Sequence, residues 1–273
     1  TSNYKTWTKT VSLTVNRWTQ TVTLSKSSLS ITYPTAWTFT ASTVTNGWEL
    51  TVSSATTSVA TASISNGTVT VTPVKVWTSV ITVTAAQTTC YATWTKTLTA
   101  TVNSGTISAS VSDKTATYNG SAISPNTVTV TEPANGATVK YGTAAWTYNL
   151  SSPQTYTNAW TYTIYYQVTA ANYNAKTWSY KLTINKADQT VTVSNASVTA
   201  SCPTTTTFTA STNGWWALSV VSSDTNVATV SISNGTVTVT PKKAWSATIT
   251  VTAAATSNYK TWTKTVSLTV NRW

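Results

Sequence analysis

Apolar residues recur at every second position in short runs along the chain. SLSITY (28–33), GTVTVTP (67–73), SVITVTA (79–85) and KTLTATV (96–102) alternate in this way. Period two marks strands with one buried face, so each run predicts a β-strand. No window carries sustained helical periodicity, and no apolar run approaches the ~20 residues of a membrane-spanning helix. Asn-Gly pairs at Asn46-Gly47, Asn66-Gly67, Asn213-Gly214 and Asn234-Gly235 punctuate the runs. Both residues tolerate positive φ, so the pairs predict tight hairpins. The resulting fold class is all-β, built of small antiparallel sandwiches of about 85 residues with turn signals every 8–12 residues.

The pattern repeats on two scales. Residues 1–18, TSNYKTWTKTVSLTVNRW, recur unchanged as residues 256–273, a period of 256 − 1 = 255 residues. This marks a window of a tandem array. Inside that period, ISNGTVTVTP at 64–73 recurs at 232–241, TFTAST at 38–43 recurs at 207–212, and WTKTLTATVN at 94–103 matches WTKTVSLTVN at 262–271. Residues 19–104 and 187–273 are therefore two copies of one module. Residues 105–186 form a different module, and residues 1–18 are the closing strands of a preceding copy. Short linkers, Asn103-Ser104-Gly105 and Asn185-Lys186-Ala187, join the modules.

The stretch SSDTNVATVSISNGTVTVTPKKAWSATITVTA at 222–253 resembles the bacterial immunoglobulin-like domain, group 2, of intimin- and invasin-type surface proteins. The middle module resembles the MBG-type repeats of bacterial surface adhesins. It does so through ATYNGSAISPNTVTV (116–130), TYTNAWTYTIYYQVTAANYN (155–174) and WSYKLTINKA (178–187). The resemblance implies an extracellular, cell-anchored rod of tandem immunoglobulin-like β-sandwich modules without enzymatic activity.

Composition sharpens this picture. The chain has 273 residues, 8% of them charged, and Thr, Ser and Val dominate. The net charge is +11, yet the basic residues are scattered, with Lys242-Lys243 the one adjacent pair. A thinly charged stalk fits this, as does attraction to glycans or an anionic cell-wall polymer. No nucleic-acid-binding motif is present, so specific nucleic-acid recognition is not expected. The other expected partners are neighbouring copies of the same chain or repeat.

Chemistry is sparse. There is no His, which removes the commonest general base. The five acids, Glu49, Asp113, Glu132, Asp188 and Asp224, are spread over all modules, which argues against paired-carboxylate hydrolysis. Two cysteines in different modules cannot make a zinc site. No enzyme, metal or cofactor is expected, and Asp224 in SSDTN reads as a turn cap. Cys90 and Cys202 are either buried thiols or a bridge between modules or chains.

The tryptophans depart from both families. There are 14 Trp and 8 Gly. Trp146, Trp160, Trp178 and Trp245, with Trp94 and Trp262, stand at Gly-like turn positions, where only Gly takes positive φ freely. Trp215-Trp216 follow Asn213-Gly214. Three readings stay open. The indoles serve as platforms for sugar rings, or divergent turns accommodate them. Otherwise they are glycines, from a lineage that reads UGA as Gly, translated by a table that reads it as Trp. In TYTIYYQVT, Tyr162, Ile164, Tyr166 and Val168 share one face. Tyr165 on the other face, with Tyr173, Trp215 and Trp216, are the candidate contacts to glycan or a neighbouring fibre.

Overall fold

The computed structural model describes residues 3–44, 49–214 and 217–272. The chain divides into two compact units. One is Thr1–Ala109 with Val130–Thr138 and Val168–Lys176; the other is Ser110–Thr129 with Val139–Gln167 and Thr177–Trp273.

Eight strands make up the first module: β1 (Val22–Leu24), β2 (Ser28–Thr32), β3 (Trp37–Thr43), β4 (Leu50–Ser54), β5 (Ala60–Ser65), β6 (Thr68–Pro73), β7 (Trp77–Ala85) and β8 (Trp94–Asn103). They form two four-stranded sheets, β1-β3-β6-β5 and β2-β8-β7-β4. The alternating residues of both sheets meet in one core that includes Leu29, Phe39, Val69, Val71, Ile81, Val83 and Leu98. Thr and Ser occupy most outward positions, as the period-two pattern requires.

The middle module contributes β9 (Gly105–Thr106), β10 (Ser108–Ser110), β11 (Lys114–Thr117), β12 (Thr129–Glu132), β13 (Thr138–Gly142), β14 (Thr161–Thr169), β15 (Tyr173–Asn174) and β16 (Lys176–Asn185). Its main sheet has the order β11-β16-β14-β13. Along β14, Ile164, Tyr166 and Val168 are buried, so the face assignment read from the sequence holds.

The last module repeats the first: β17 (Val191–Val193), β18 (Ser197–Ser201), β19 (Thr206–Thr212), β20 (Leu218–Ser222), β21 (Ala228–Ser233), β22 (Thr236–Pro241), β23 (Ser246–Ala253) and β24 (Trp262–Asn271). Its sheets are β17-β19-β22-β21 and β18-β24-β23-β20, closed over Phe208, Val237, Val239, Ile249, Val251, Val266 and Leu268. The two copies exchange volume inside the core. Ile31 and Ala100 of the first become Ala200 and Leu268 of the last. Such compensated swaps keep the packing of a core at little cost.

The architecture is thus all-β tandem immunoglobulin-like sandwiches, with two differences from the sequence reading. Only one sheet of each outer module, β1-β3-β6-β5 and β17-β19-β22-β21, is wholly antiparallel; the other sheet of each, and the main sheet of the middle module, includes a parallel pair. Strand β2 runs parallel to β8, β18 to β24, and β11 to β16. The chain crosses from one sheet to the other after β1 and lays β2 beside the module's last strand in the same direction. The Asn-Gly pairs also divide. Asn66-Gly67 and Asn234-Gly235 take positive φ at both residues and close the hairpins β5–β6 and β21–β22. Asn213-Gly214 instead follows β19, which pairs with β17 and β22, while the next strand, β20, belongs to the other sheet. Its Asn213 side chain accepts a bond from the Thr190 N–H at 2.8 Å. Asn46-Gly47 lies outside the described residues.

Candidate functional site

An aromatic groove lies on the middle module. Its volume is about 260 Å³, and Ala145, Trp146, Tyr148, Tyr165, Thr177, Trp178 and Ser179 line it. Tyr165 reaches it from the outer face of β14, and Trp178 comes from β16. Trp146 sits on the turn bridged by Ala144 and Thr147, at φ 65. That is left-handed backbone, which favours Gly over any residue with a Cβ; the other three suspected Gly-like positions differ, since Trp160, Trp178 and Trp245 do not take positive φ and Trp178 lies inside β16, where an L side chain carries no backbone strain. Beside it Gly142 is obligatory, because a Cβ there would lie 1.7 Å from the Thr147 carbonyl oxygen.

A second depression shares Tyr165. It is lined also by Gln154, Tyr156, Trp160 and Tyr162 and has a volume of about 510 Å³. The Tyr156 and Tyr162 rings stack with centroids 3.8 Å apart. Burial, then the neighbouring Tyr162, holds the Tyr156 hydroxyl above its ordinary pKa. Flat aromatic faces flanked by hydroxyls suit the apolar face of a sugar ring.

Of the candidates read from the sequence, Tyr165, Trp146 and Trp178 therefore share one groove, and Trp160 lines the adjoining one. Trp245 lies on an exposed corner of the last module, where its carbonyl accepts from the Val270 N–H at 2.8 Å. Trp215 and Trp216 lie outside the described residues. All ten tryptophans among the described residues are exposed, from Trp94 at 40% to Trp7 at 92%. None enters a core, although indole is ordinarily highly buried.

Tyr173 belongs to a different construction, the junction between consecutive modules. Gly105, on the linker, pairs in parallel with Tyr173, and its N–H donates to the Asn172 carbonyl at 2.9 Å. The Asn172 amide spans the β6–β7 corner of the first module, accepting from the Val76 N–H at 3.1 Å and donating to the Val74 carbonyl at 3.2 Å. The Tyr173 ring meets Tyr33 edge to face at 5.4 Å. A Cβ on Gly105 would lie 2.5 Å from the Tyr33 carbonyl and 2.8 Å from the Tyr173 ring, which is why the linker is Gly there. The Tyr173 hydroxyl donates to Glu132, and that bond, before burial, pushes its pKa up to about 12.

The same construction recurs further along the chain. Ala187 bridges in parallel to Tyr259, its N–H donating to the Asn258 carbonyl at 2.8 Å. Asn258 accepts from the Ala159 N–H at 2.8 Å. The Tyr259 ring meets Tyr118 edge to face, again at 5.4 Å. At the start of the chain Trp18 bridges in parallel to Tyr91, and its N–H donates to the Cys90 carbonyl at 2.8 Å. Two residues after the linker residue, Gln20 and Gln189 are fully buried. Gln189 donates to the carbonyls of Ala253, Ala254 and Lys260; Gln20 does the same with Ala85, Ala86 and Ala92. The sequence showed the linkers but not these tyrosines as their partners. The missed signal is an Asn-Tyr or Cys-Tyr pair twelve residues before the last Asn of each module: Cys90-Tyr91, Asn172-Tyr173 and Asn258-Tyr259.

Four of the five acids serve the structure, Glu132 at the Tyr173 joint and three others elsewhere. Asp188 pairs with Lys260 at 2.9 Å on the surface, and Asp113 accepts from the Lys181 N–H at 2.7 Å. Asp224 caps its turn, accepting from the Asn226 N–H at 2.8 Å. Among the described residues no three His, Cys, Asp or Glu lie close enough to hold a metal ion. No helix of the described residues is long and apolar enough to cross a membrane.

These features define a class, tandem immunoglobulin-like β-sandwich repeats. No family model matches the chain, and no curated protein matches it. Among solved structures it is similar to the extracellular cadherin domains 1–5 of protocadherin gamma B2, at 11% identity over 91% of this chain, TM-score 0.29. It is similar to domains 1–6 of the surface layer protein SbsC, at 16% identity over 92% of this chain, TM-score 0.31. It is likewise similar to the I9–I11 tandem of titin, at 11% identity over 93% of this chain and 100% of the tandem, TM-score 0.28. The chain spans 59% of the protocadherin structure and 40% of the SbsC structure.

Proposed function

We propose that this chain is a structural repeat segment of a secreted bacterial surface fibre or adhesin stalk. It sets length and stiffness, and its modules are related to the group 2 bacterial immunoglobulin-like domain and the MBG repeat. The reading is non-enzymatic, supported by the missing histidine and by the engagement of four of the five acids, Asp113, Glu132, Asp188 and Asp224, in bonds and pairs. The observation that carries it is the repeated junction. A parallel backbone bridge and an Asn clamp onto the preceding module recur at Gly105–Tyr173 and Ala187–Tyr259. A tyrosine pair accompanies both. Joints of this kind limit bending, which a spacer needs and a string of freely hinged domains lacks.

Small-angle scattering compares the chain with a Tyr33→Ala, Tyr118→Ala variant. Wild type is expected to give a narrow distribution of dimensions that broadens in the variant. Equal breadth in both would overturn the reading.

The second reading, carbohydrate binding, is favoured by the groove of Trp146, Tyr148, Tyr165 and Trp178. The mass of peptide 244–260 from native protein, which holds Trp245 alone among the tryptophans, decides whether the indoles exist. A mass fitting Gly removes the platform. A mass fitting Trp makes Trp178→Ala the next test, with loss of glycan binding expected if the groove is a sugar site.

A further inference from the structure

The junction has three occurrences in the sequence but only two complete ones in the chain. In the complete ones, an upstream tyrosine donates its N–H to the last Asn of its own module: Tyr33 to Asn103 at 3.0 Å and Tyr118 to Asn185 at 2.9 Å. In the last module Cys202 takes that place, its N–H donating to the Asn271 carbonyl at 3.3 Å. The sequence agrees, since TYPT at 32–35 aligns with SCPT at 201–204. On the downstream side, Asn172 and Asn258 accept the linker N–H and clamp the preceding module. In the first module Cys90 takes that place, accepting from the Trp18 N–H at 2.8 Å. The chain has two cysteines, and they take the places of Tyr33 and Asn172, the two residues whose backbones flank the linker residue of the joint.

In the complete joint these positions share a corner. Gly105 lies against both backbones: its N–H bonds to Asn172, and a Cβ in its place would lie 2.5 Å from the Tyr33 carbonyl. The Asn172 side chain lands on Val74 and Val76, immediately after Pro73. In the last module the Cys202 sulfur lies 4.0 Å from the carbonyl of Pro241, the counterpart of Pro73. A residue clamping this corner as Asn172 does would meet Lys242 and Ala244, beside that sulfur. The linker residue here is Trp18, repeated as Trp273, in place of Gly105 or Ala187.

We propose that where one 255-residue unit follows another, Cys202 of the first and Cys90 of the second form a disulfide across the joint. The inference rests on the tandem reading of the 18-residue repeat. The upstream half of the joint is completed by the segment 1–18, which is identical to the strand that closes the last module and carries Leu13 where that module needs Leu268. The S–S bond forms with loss of two protons and two electrons, which reduce one disulfide of oxidised glutathione to two thiols. The bond would take over the role that the Tyr33–Tyr173 and Tyr118–Tyr259 contacts play at the other joints.

The test uses two units in one chain, residues 1–273 followed by 19–273, in a glutathione redox buffer. Two of the four thiols are expected to disappear within a monomer, and a non-reducing digest should yield the Cys90 and Cys202 peptides joined. Cys202→Ser in the first unit should abolish the link, and Cys202→Ser in the second should leave it. Four reactive thiols, or a link indifferent to which unit is substituted, would overturn the proposal. The length of the native polypeptide on a denaturing gel tests the tandem reading separately. A long native protein with free thiols sinks the disulfide alone, and a single-unit protein sinks the array.

Discussion

One 18-residue sequence occurs twice in this chain and adopts two structures. At 262–271 it is β24, paired antiparallel with β23 and parallel with β18. Val266, Leu268 and Val270 are there 0%, 1% and 3% exposed. At 7–16 the same residues form no strand, and Val11, Leu13 and Val15 are 82%, 85% and 80% exposed. The local sequence fixes which side chains share a face; the neighbouring strands decide whether that face is buried. Propensity for the sheet is largely packing against partners, and here the partners are β18 and β23.

The largest way to break this comparison is to make one substitution in both places. Leu268→Ala removes a fully buried side chain and is expected to cost about 2–5 kcal/mol. Leu13→Ala, the same change in the exposed copy, should stay within about 0.5 kcal/mol. Denaturant unfolding of the full chain reads both. A comparable loss at Leu13 would show that segment 1–18 is packed in solution.

Legibility in the sequence follows the same division. The period-two runs gave the strands and their buried faces correctly, because alternation is a local property. Volume exchange between Ile31/Ala100 and Ala200/Leu268 could be interpreted only with the register known. The parallel placement of β2, β11 and β18 left no mark, since a strand's direction relative to its partner is not encoded in alternation. Asn213-Gly214 looked like a hairpin because a turn residue specifies local backbone and not the strand that follows. The aromatic groove was half legible. Tyr165 was visible as an outward residue of β14, but Trp146 and Trp178 joined it only through the pairing of distant segments.

A middle-sized effect sharpens the comparison of the joints. Gln189 is fully buried and donates to three carbonyls, while its own Oε1 has no partner. Gln189→Ala strands those carbonyls and should cost about 1–3 kcal/mol. The middle module uses Ile107 at this position, so its joint is held without such a knot. Gln189→Ala should therefore speed hydrogen exchange around Lys260 and leave the amides around Tyr173 unchanged. Equal acceleration at both joints would show that the joints are coupled.

The smallest effect concerns the first joint alone. Tyr173 donates to Glu132, and its pKa is pushed up from 10.0 to about 12, first by that bond. A group with a raised folded pKa contributes stability that is fully present below its unfolded pKa. The Tyr173–Glu132 contact should thus support the joint at full strength up to about pH 10 and lose that support as pH rises to about 12. Below pH 10 no change from this tyrosine is expected. Spectrophotometric titration of the chain should show Tyr173 among a late-ionising group with Tyr156, Tyr166 and Tyr180, and Glu132→Gln should move one tyrosine of that group back toward 10 by removing the negative acceptor. Among the described residues, the contacts of the Tyr118–Tyr259 joint are a ring pair and amide bonds, so the substitution should leave its ring contact intact. A titration curve unchanged by Glu132→Gln would mean that the edge-to-face ring packing, common to both joints, holds Tyr173 without help from the acid.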